Sequence, residues 1–254
     1  MTAFYNECDP FPAGKLRRLI ERERITPGTV DDRSITEVTG DDIKGHNRCH
    51  LFAGVAGWEL ALEIAGWGAD PVWTGSCPCQ DFSVGNQDAP GIGGERDLWP
   101  DMYRLVCECR PPIVIGEQVA DAIAYGWMDR LQADMEKIGY AVGFAVLPAC
   151  SVGTTHIRQR IYWVAADAGS FRMPGQRTAG SPGEVRPGRA YWPVDLQQVI
   201  DSPYGARDGL PQPLIRSRRD GLPDGLAGLI RCVGNAIVPQ LAAEFIRSFM
   251  ECQA

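Results

Sequence analysis

A cysteine between proline and glutamine is the first residue that could do chemistry. Cys79 lies in the segment Ser76–Ser83, which follows a short apolar run and opens a loop rich in glycine and asparagine. A thiol on such a loop is well placed to act as a nucleophile. The alternative is a zinc site, because Cys77 and Cys79 form one Cys-x-Cys pair and Cys107 and Cys109 form another. Zinc-binding cysteines are typically separated by about two to four intervening residues, and these pairs have only a single residue between them, so we favour the nucleophile.

Charged side chains accompany two other apolar runs. Glu117 closes the run that begins at Pro112, and Arg158 and Arg160 stand two residues apart, on one face of an extended segment. Ligands of open α/β sheets collect beyond the carboxyl ends of the strands, which is where Glu117 would lie. Each group has an ordinary alternative. A carboxylate at a strand end is often a cap or an ion pair, and two arginines can form a solvated basic strand.

A glycine-rich turn links an apolar run to a helical pattern. In the segment 52–57, glycines would let the backbone approach a ligand, and the N-terminus of the following helix would favour a negative group. A plain structural turn would look the same. Near the end of the chain, the segment 234–240 reads Gly-Asn-Ala-Ile-Val-Pro-Gln and leads into a helical pattern.

The elements that must position these groups alternate between strand and helix patterns. Short apolar runs predict strands, and apolar residues at helical spacing predict helices. The predicted strands are 49–53, 71–75, 112–116, 140–146 and 160–165, and the predicted helices are 58–65, 99–109, 122–138 and 230–250. This alternation predicts an α/β fold.

The composition sets outer limits on the function. The chain has 254 residues, enough for one substantial core, and a net charge of −7. No apolar run approaches the roughly 20 residues that span a bilayer, and no secretory signal is visible, so we expect a cytoplasmic protein without membrane contact. Nine cysteines without an export signal argue against a disulfide framework.

Charge and residue composition divide the chain into three parts. The net negative charge argues mildly against nucleic-acid binding, but residues 168–233 carry nine arginines against six acidic residues. Glycine and proline recur there and apolar periodicity is weak, which indicates a loop-rich lobe. We therefore predict a main domain at 1–167, a short lobe at 168–229 and a C-terminal helix at 230–254 that returns to the main domain.

Taken in order, the motifs resemble those of the DNA cytosine-5 methyltransferases. The family's cofactor turn matches residues 51–57, its Pro-Cys-Gln motif matches residues 78–80, and its Glu-Asn-Val motif matches 117–119 with Gln for Asn. Its Gln-x-Arg-x-Arg motif matches 156–160 with His for Gln, and its Gly-Asn-Ser/Ala-x-x-Pro motif matches 234–239. The resemblance implies a Rossmann-like, S-adenosylmethionine-dependent methyltransferase sheet with a small target-recognition lobe at 168–229.

One departure from the family concerns the order of its parts. The family's ribose-binding acid and next two strands stand between the Gly turn and Pro-Cys-Gln, but here only some twenty residues separate Gly57 from Cys79. Residues 3–10 resemble the strand that ends in the acid, and residues 16–20 and 31–38 resemble the helix and strand turn that follow. We predict that this strand–helix–strand unit has moved to the front while the sheet stays intact, with Glu7 on the ribose.

The resemblance also implies a mechanism. Cys79 would add to carbon 6 of a flipped-out cytosine in double-stranded DNA, and S-adenosylmethionine would supply the methyl group to carbon 5. Glu117 in its protonated form would hold the N3 side of the ring, Arg160 would bind O2, and Arg158 would orient Glu117 or neutralise the thiolate region. His156 fits an indirect role or a structural one equally well.

The implied contacts are as follows. The expected cofactor contacts are Glu7, Cys8, Asp32, Ile35, Phe52, Gly54, Val55, Gly57, Pro78, Leu98, Asn235 and Ala236. The expected DNA contacts are Gln80, Ser83, Gly85, Asn86, Arg216, Arg218 and Arg219. We expect no metal and a monomer of phage or prophage type. The short lobe predicts a short recognition site, and the sequence leaves a partner restriction enzyme open.

Two other functions fit parts of this pattern. A tRNA cytosine-5 methyltransferase shares the Pro-Cys-Gln chemistry, and methylation assays on duplex DNA and tRNA separate the two. A DNA- or cofactor-binding relative without turnover is the non-enzymatic alternative. The presence of Cys79, Glu117, Arg158 and Arg160 together argues against it, because loss of function should first strike these positions.

Overall fold

A computed structural model of the chain describes residues 1–78, 97–154, 156–169 and 236–252. The strands in this part are β1 (Ala3–Asn6), β2 (Gly28–Asp31), β3 (Arg48–Leu51), β4 (Val72–Gly75), β5 (Ile113–Val119), β6 (Tyr140–Pro148) and β7 (Gln159–Asp167). The helices are α1 (Pro10–Glu21), α2 (Gly40–Ile43), α3 (Gly57–Ala65), α4 (Trp99–Cys109), α5 (Trp127–Lys137) and α6 (Pro239–Glu251). Short 3-10 turns cover Ile35–Glu37, Ala120–Tyr125 and Ala149–Val152.

All seven strands join one mixed sheet, in the order β2-β1-β3-β4-β5-β7-β6. β1 to β5 run parallel, whereas β7 is antiparallel to both β5 and β6. This arrangement confirms the predicted α/β class. β4 ends at Gly75, opposite Gly116, so the last three residues of β5 project past it at the carboxyl edge of the sheet.

The N-terminal strand–helix–strand unit lies inside the sheet, as predicted. β1 pairs with β2 on one side, and on the other it pairs with β3 from Ala3 opposite Arg48 to Asn6 opposite Leu51. All four residues of β1 are buried. β1, which lies beside the strand that leads into the Gly turn, therefore comes before that strand in the chain, and the sheet is continuous across the two.

Packing on the two faces of the sheet holds the elements in register. On one face, Trp99, Trp127 and Trp163 form a cluster of edge-on rings with centroids about 6 Å apart. On the other face, α3 packs against α6. Gly116 is required under the cluster, because a Cβ there would lie 2.2 Å from the ring of Trp163.

Three local predictions differ from the structure. The helix predicted over 122–138 is divided by Gly126, whose φ of 71° ends the 3-10 turn before α5 begins at Trp127. Arg158 has a φ of 34°, so the extended segment begins only at Gln159. The last helix begins at Pro239 in the described range, and residues 230–235 and 170–229 lie outside it. The division into three parts thus stays a prediction.

Within the described ranges, no helix has the length and apolar character needed to cross a membrane.

Candidate active site at the carboxyl edge of the sheet

The Gly turn leaves β3 through three left-handed residues. Phe52, Gly54 and Ala56 have φ angles of 55°, 56° and 65°, and α3 begins at the next residue, Gly57. Left-handed backbone is uncommon for residues other than glycine, and such strain collects at binding sites. At Gly54 a Cβ would meet nothing within 4 Å. The turn therefore presents open backbone at the N-terminus of a helix, which suits a ligand with a negative group.

Glu7 joins the relocated unit to this turn. It follows β1 directly, and its two carboxylate oxygens accept hydrogen bonds from the backbone N–H of Gly54 at 2.8 Å and of Asp9 at 2.9 Å. Burial raises the pKa of Glu7, and these two backbone donors partly offset the rise. The sequence placed an acidic residue here, and the structure brings its carboxylate against the Gly turn.

The C-terminal motif closes the same turn from the other side. Ile237 packs on Gly57 so closely that a Cβ there would lie 2.8 Å from the Ile237 side chain. The carbonyl oxygen of Ala236 accepts a hydrogen bond from Arg158 at 3.0 Å. Residues far apart in the sequence thus converge where a cofactor was expected.

Glu117 is the buried acid of the site. It lies in the part of β5 beyond Gly116 and is 8% exposed. Burial raises the pKa of the Glu117 carboxyl, whereas the positive charges of Arg160 and Arg158 lower it without cancelling the rise. A raised pKa favours the protonated form, in which a carboxyl group can act as a proton donor.

Arg160, and not Arg158, forms the ion pair with Glu117. The Nε atom of Arg160 lies 2.9 Å from Oε1 of Glu117. The resemblance implies that Arg158 orients Glu117 or neutralises the thiolate region and that Arg160 binds the cytosine O2, and both roles stay predictions. In the structure Arg158 has left-handed backbone, and its guanidinium donates to the carbonyl of Ala236.

The strand before Cys79 is held at its end by two side chains. The amide nitrogen of Gln118 donates to the carbonyl oxygen of Cys77 at 3.4 Å, and Trp58 donates from its indole to the hydroxyl of Ser76 at 3.0 Å. Pro78 is half-buried and is the last described residue of this segment. Gln118, which stands at the place of Asn in the family motif, thereby connects Cys77, two residues before Cys79, to the strand that carries Glu117.

Other expected cofactor contacts have partners of their own in the structure. Asp32 is exposed and pairs with Arg17 at 2.8 Å, which lowers the pKa of the Asp32 carboxyl. Ile35 is buried in the main core, and Leu98 packs partly against that core at the start of α4. Cys8 is exposed beside Glu7. The carbonyl of Asp31, just before Asp32, accepts from the backbone N–H of Glu7 at 2.9 Å, and the cofactor contacts of these residues stay predictions.

Several predicted residues lie outside the described ranges, so their places stay predictions. They are Cys79, Gln80, Ser83, Gly85, Asn86, Arg216, Arg218, Arg219 and Asn235.

The sequence analysis did not predict a cluster of charged residues at the start of the described range that begins at residue 97. Asp97 pairs with Arg130, and the indole of Trp99 donates to Asp134 at 2.8 Å. Arg130 and Asp134 have i, i+4 spacing on α5, and that spacing was the available signal. Among the described residues, no group of His, Cys, Asp and Glu is arranged to hold a metal ion.

The described strands and helices form one α/β sheet, and the candidate site lies at the carboxyl edge of that sheet. Residues 71–179 match the family model of C-5 cytosine-specific DNA methylases. The matched range contains Cys79, Glu117, Arg158 and Arg160. The match covers 109 of the 254 residues, and over this range the chain is similar to that family.

Two curated relatives have similar segments. The Type II methyltransferase M.AplI of Arthrospira platensis is 27% identical over 110 residues, which are 42% of this chain and 31% of that protein. The Type II methyltransferase M.NgoMIV of Neisseria gonorrhoeae is 30% identical over 94 residues, which are 36% of this chain and 30% of that protein. The match spans less than a third of either relative.

A solved structure, the methyltransferase EhMeth of Entamoeba histolytica, superimposes with a TM-score of 0.46 at 10% sequence identity, over 100% of this chain and 99% of that one.

Proposed function

We propose that this protein transfers a methyl group to carbon 5 of cytosine in double-stranded DNA, with Cys79 as the nucleophile and S-adenosylmethionine as the methyl donor. The observation that carries the proposal is that Glu117, a buried acid with a raised pKa, lies beside the strand end that leads toward Cys79. Gln118, the residue after Glu117, hydrogen-bonds to the carbonyl of Cys77, and Cys79 is two residues further on.

The charges of the site match the electron flow of the reaction. The thiolate of Cys79 donates an electron pair to carbon 6, and the ring electrons move toward N3 and carbon 5. Glu117 donates its proton to N3 and so neutralises the charge that grows there. Arg160 then stabilises the carboxylate that remains, since its guanidinium already lies 2.9 Å away. After methylation a base removes the carbon 5 proton, the double bond re-forms and the Cys79 sulfur leaves.

The residues at the Gly turn fit the methyl donor. S-adenosylmethionine supplies an electrophilic methyl group when it is bound. Glu7 stands at the end of the strand next to the turn, where acids hold ribose hydroxyls in related folds. The open backbone at Gly54 and the segment from Ala236 would enclose the rest of the molecule. Phe52 would pack on the adenine, and Asn235 would hold the methionine end.

The target cytosine has to reach the carboxyl edge of the sheet, where Glu117 lies. A cytosine in a duplex is out of reach of a thiol, so the nucleotide must be flipped into the site at the cost of a few kcal/mol of stacking and pairing. Gln80, Ser83, Gly85 and Asn86 follow the nucleophile, and the arginines at 216, 218 and 219 lie in the basic stretch. We assign phosphate and base contacts to these two groups.

Covalent trapping tests the proposal directly. A duplex that contains 5-fluorocytosine cannot lose its carbon 5 substituent, so the enzyme and cofactor should form an adduct that survives denaturing electrophoresis. Cys79→Ala should form none. Cys107→Ala removes an exposed thiol on α4 and should trap like the parent.

Two outcomes would overturn the proposal. One is the absence of an adduct with duplex DNA under conditions where the protein binds S-adenosylmethionine. The other is methylation of tRNA with none of duplex DNA, which would make the protein an RNA enzyme.

A further inference from the structure

β6 lies at one edge of the sheet and carries no charged residue. Within the part of the chain that the structure describes, β7 is the only strand that pairs with it. The nine residues of β6 read Tyr-Ala-Val-Gly-Phe-Ala-Val-Leu-Pro, and their register with β7 is unbroken, so the strand has no bulge. Proteins usually protect an edge strand with a charge, a bulge or a proline. Here the only such residue is Pro148, at the last position of the strand.

Two apolar side chains of β6 are exposed at this edge. Phe144 is 46% exposed and Val146 is 37% exposed. Phe144 lies opposite Trp163 of β7, so it shares a face of the sheet with the tryptophan cluster. Val142 and Val146 lie on that same face, because side chains alternate along a strand. The apolar face that covers the core therefore continues to the outer edge of the sheet.

The backbone of β6 has hydrogen-bonding groups that point away from β7. The carbonyl of Gly139 accepts from the N–H of Ala168 at 3.2 Å, whereas the N–H of the neighbouring Asp167 donates to Pro112, on the side of β5, at 3.0 Å. In an antiparallel pair, residues alternate between bonding toward the partner strand and away from it. Odd-numbered residues of β6 thus bond toward β7, and even-numbered residues such as Phe144 point their N–H and C=O groups outward.

β6 is matched to the β6 strand of a second copy of the chain. A twofold axis perpendicular to the sheet at Phe144 brings the two Phe144 residues opposite each other and places Val142 opposite Val146 of the second copy. Opposed residues share a face, so each apolar side chain meets another apolar one. The outward groups of these three residues would form about six backbone hydrogen bonds. A charge on the axis would face the same charge in the second copy, and β6 carries none.

We propose that the protein forms a homodimer in which the two β6 strands pair antiparallel around Phe144 and join the two sheets into one. This is a different oligomeric state from the monomer expected from the sequence. The observation that favours a second copy over another partner is the symmetry of the strand, because valines stand two positions before and two positions after Phe144. Pairing with an unrelated strand would not require that symmetry.

The dimer would leave the candidate active site of each copy open. β6 runs parallel to β5, because both strands are antiparallel to β7. The twofold axis reverses β6, so the carboxyl edges of the two sheets would face in opposite directions. Each copy would then bind its own substrate, and the dimer would have two independent sites.

Cysteine cross-linking tests the register of the pair. Residues opposed in a hydrogen-bonded pair have Cα atoms about 5.5 Å apart, within the range of disulfides, so Phe144→Cys should give a disulfide-linked dimer on mild oxidation. Val142→Cys alone should give none, because its two copies would be displaced by four residues, or about 13 Å. A mixture of Val142→Cys and Val146→Cys proteins should cross-link after subunit exchange. The parent protein gives the background from its exposed thiols, Cys8, Cys107 and Cys252.

A charged variant tests whether the strand holds the dimer together. Phe144→Lys places two positive charges opposite each other and should give a monomer in light scattering, whereas the parent should have twice the mass of the chain. The melting temperature of the parent should rise over an about hundredfold increase in protein concentration, and that of the variant should not. Leu60→Lys is the matched control, since Leu60 is an apolar residue of α3 that is 43% exposed, and it should stay dimeric.

Three results would overturn the proposal. They are a parent protein that stays a monomer at all concentrations, a Phe144→Cys protein that cross-links no more than the parent, and a Val142→Cys protein that cross-links as well as Phe144→Cys. The first two would mean that the edge is covered by other residues of the chain or by another partner, and the third would mean another register. None of them bears on methyl transfer, which trapping with 5-fluorocytosine tests separately.

Discussion

Two buried glutamates, Glu59 on α3 and Glu117 on β5, have pKa values shifted in opposite directions. Glu59 of α3 accepts from Arg48 at 2.6 Å and from the hydroxyl of Thr26, and its second oxygen contacts His50 at 2.9 Å. Burial alone would raise the pKa of Glu59, but His50, Arg48 and Thr26 lower it to about 2. Glu117 is equally buried and has its pKa raised. The number of donors around the carboxyl decides the difference.

The two environments serve different purposes. Thr26 belongs to the loop before β2, Arg48 and His50 belong to β3, and Tyr5 of β1 stacks on His50 with ring centroids 5.0 Å apart. Glu59 therefore fastens the relocated N-terminal unit to the centre of the sheet through a fixed negative charge. Glu117 has fewer donors and a raised pKa, which is the state that its proposed role as a proton donor requires.

The largest expected effect comes from Glu117→Gln. The amide has nearly the same shape but cannot give up a proton, so adduct formation and methyl transfer should fall by about 10²- to 10⁴-fold. The free energy of unfolding should not fall, because the variant removes a carboxyl that folding has to dehydrate. Rapid-quench trapping and chemical denaturation measure the two quantities. If the variant reacts within a few-fold of the parent rate, the raised pKa of Glu117 has no role in catalysis.

Glu59→Gln should have the reverse profile. It leaves Arg48 buried beside a neutral amide, and breaking a buried pair in this way costs about 3–5 kcal/mol of unfolding free energy. The rate of adduct formation per folded molecule should change little. Glu63→Gln, on an exposed position of the same helix, is the control and should cost almost nothing. Equal losses in the two variants would contradict the fastening role.

The pH dependence of stability should differ in sign between the two sites. Glu59 has a lowered pKa, so its contribution of about 2–3 kcal/mol is present above its ordinary pKa of 4.5 and is lost as the pH falls toward about 2. Glu117 has a raised pKa, so above pH 4.5 its carboxyl group ionises more readily in the unfolded chain than in the folded one. The free energy of unfolding therefore falls as the pH rises. Denaturation from pH 2 to 8 should show Glu59→Gln converging on the parent in acid. The free energy of unfolding of Glu117→Gln should rise relative to that of the parent as the pH rises. If the curves of free energy against pH run parallel, the opposite pKa shifts of the two glutamates are refuted.

Thr26→Val should give the smallest effect. It removes one hydroxyl donor to Glu59 and leaves Arg48 and His50 in place, so the expected loss is about 1–2 kcal/mol. Denaturant midpoints measure it. A loss as large as that of Glu59→Gln would mean that the hydroxyl, and not the charge pair, holds the unit.

Much of the active edge could be predicted from the sequence because its motifs have local signals. The apolar run before Glu117 and the Gly turn after β3 placed both groups at the strand ends where the structure has them. The relocated unit was predictable from the short spacing between Gly57 and Cys79. The ion pair between Arg160 and Glu117 was not predicted, because the sequence does not show that Arg158 has left-handed backbone or that its guanidinium donates to Ala236, many residues away.

The buried ion pairs that connect different elements had no such local signal in the sequence. Arg48 and His50 alternate with apolar residues in a strand of four, and nothing local shows that Glu59 will reach both from the next helix. Asp97 and Arg130 likewise meet only because α4 and α5 pack on the same face. Pairs of charged residues on different elements are fixed by tertiary packing, which the spacing of residues within one element does not encode.

The place of β1 in the sheet also sets the order in which the sheet can assemble during synthesis. β1 and β2 are made first and can pair at once, whereas the other edge of β1 stays open until β3 has been translated. Phe4 and Tyr5 and a row of free backbone groups are exposed during that interval, and such edges invite pairing with other chains. The carboxylate of Glu7 is by then already in the chain, so the Gly turn folds onto a partner that was synthesised before it.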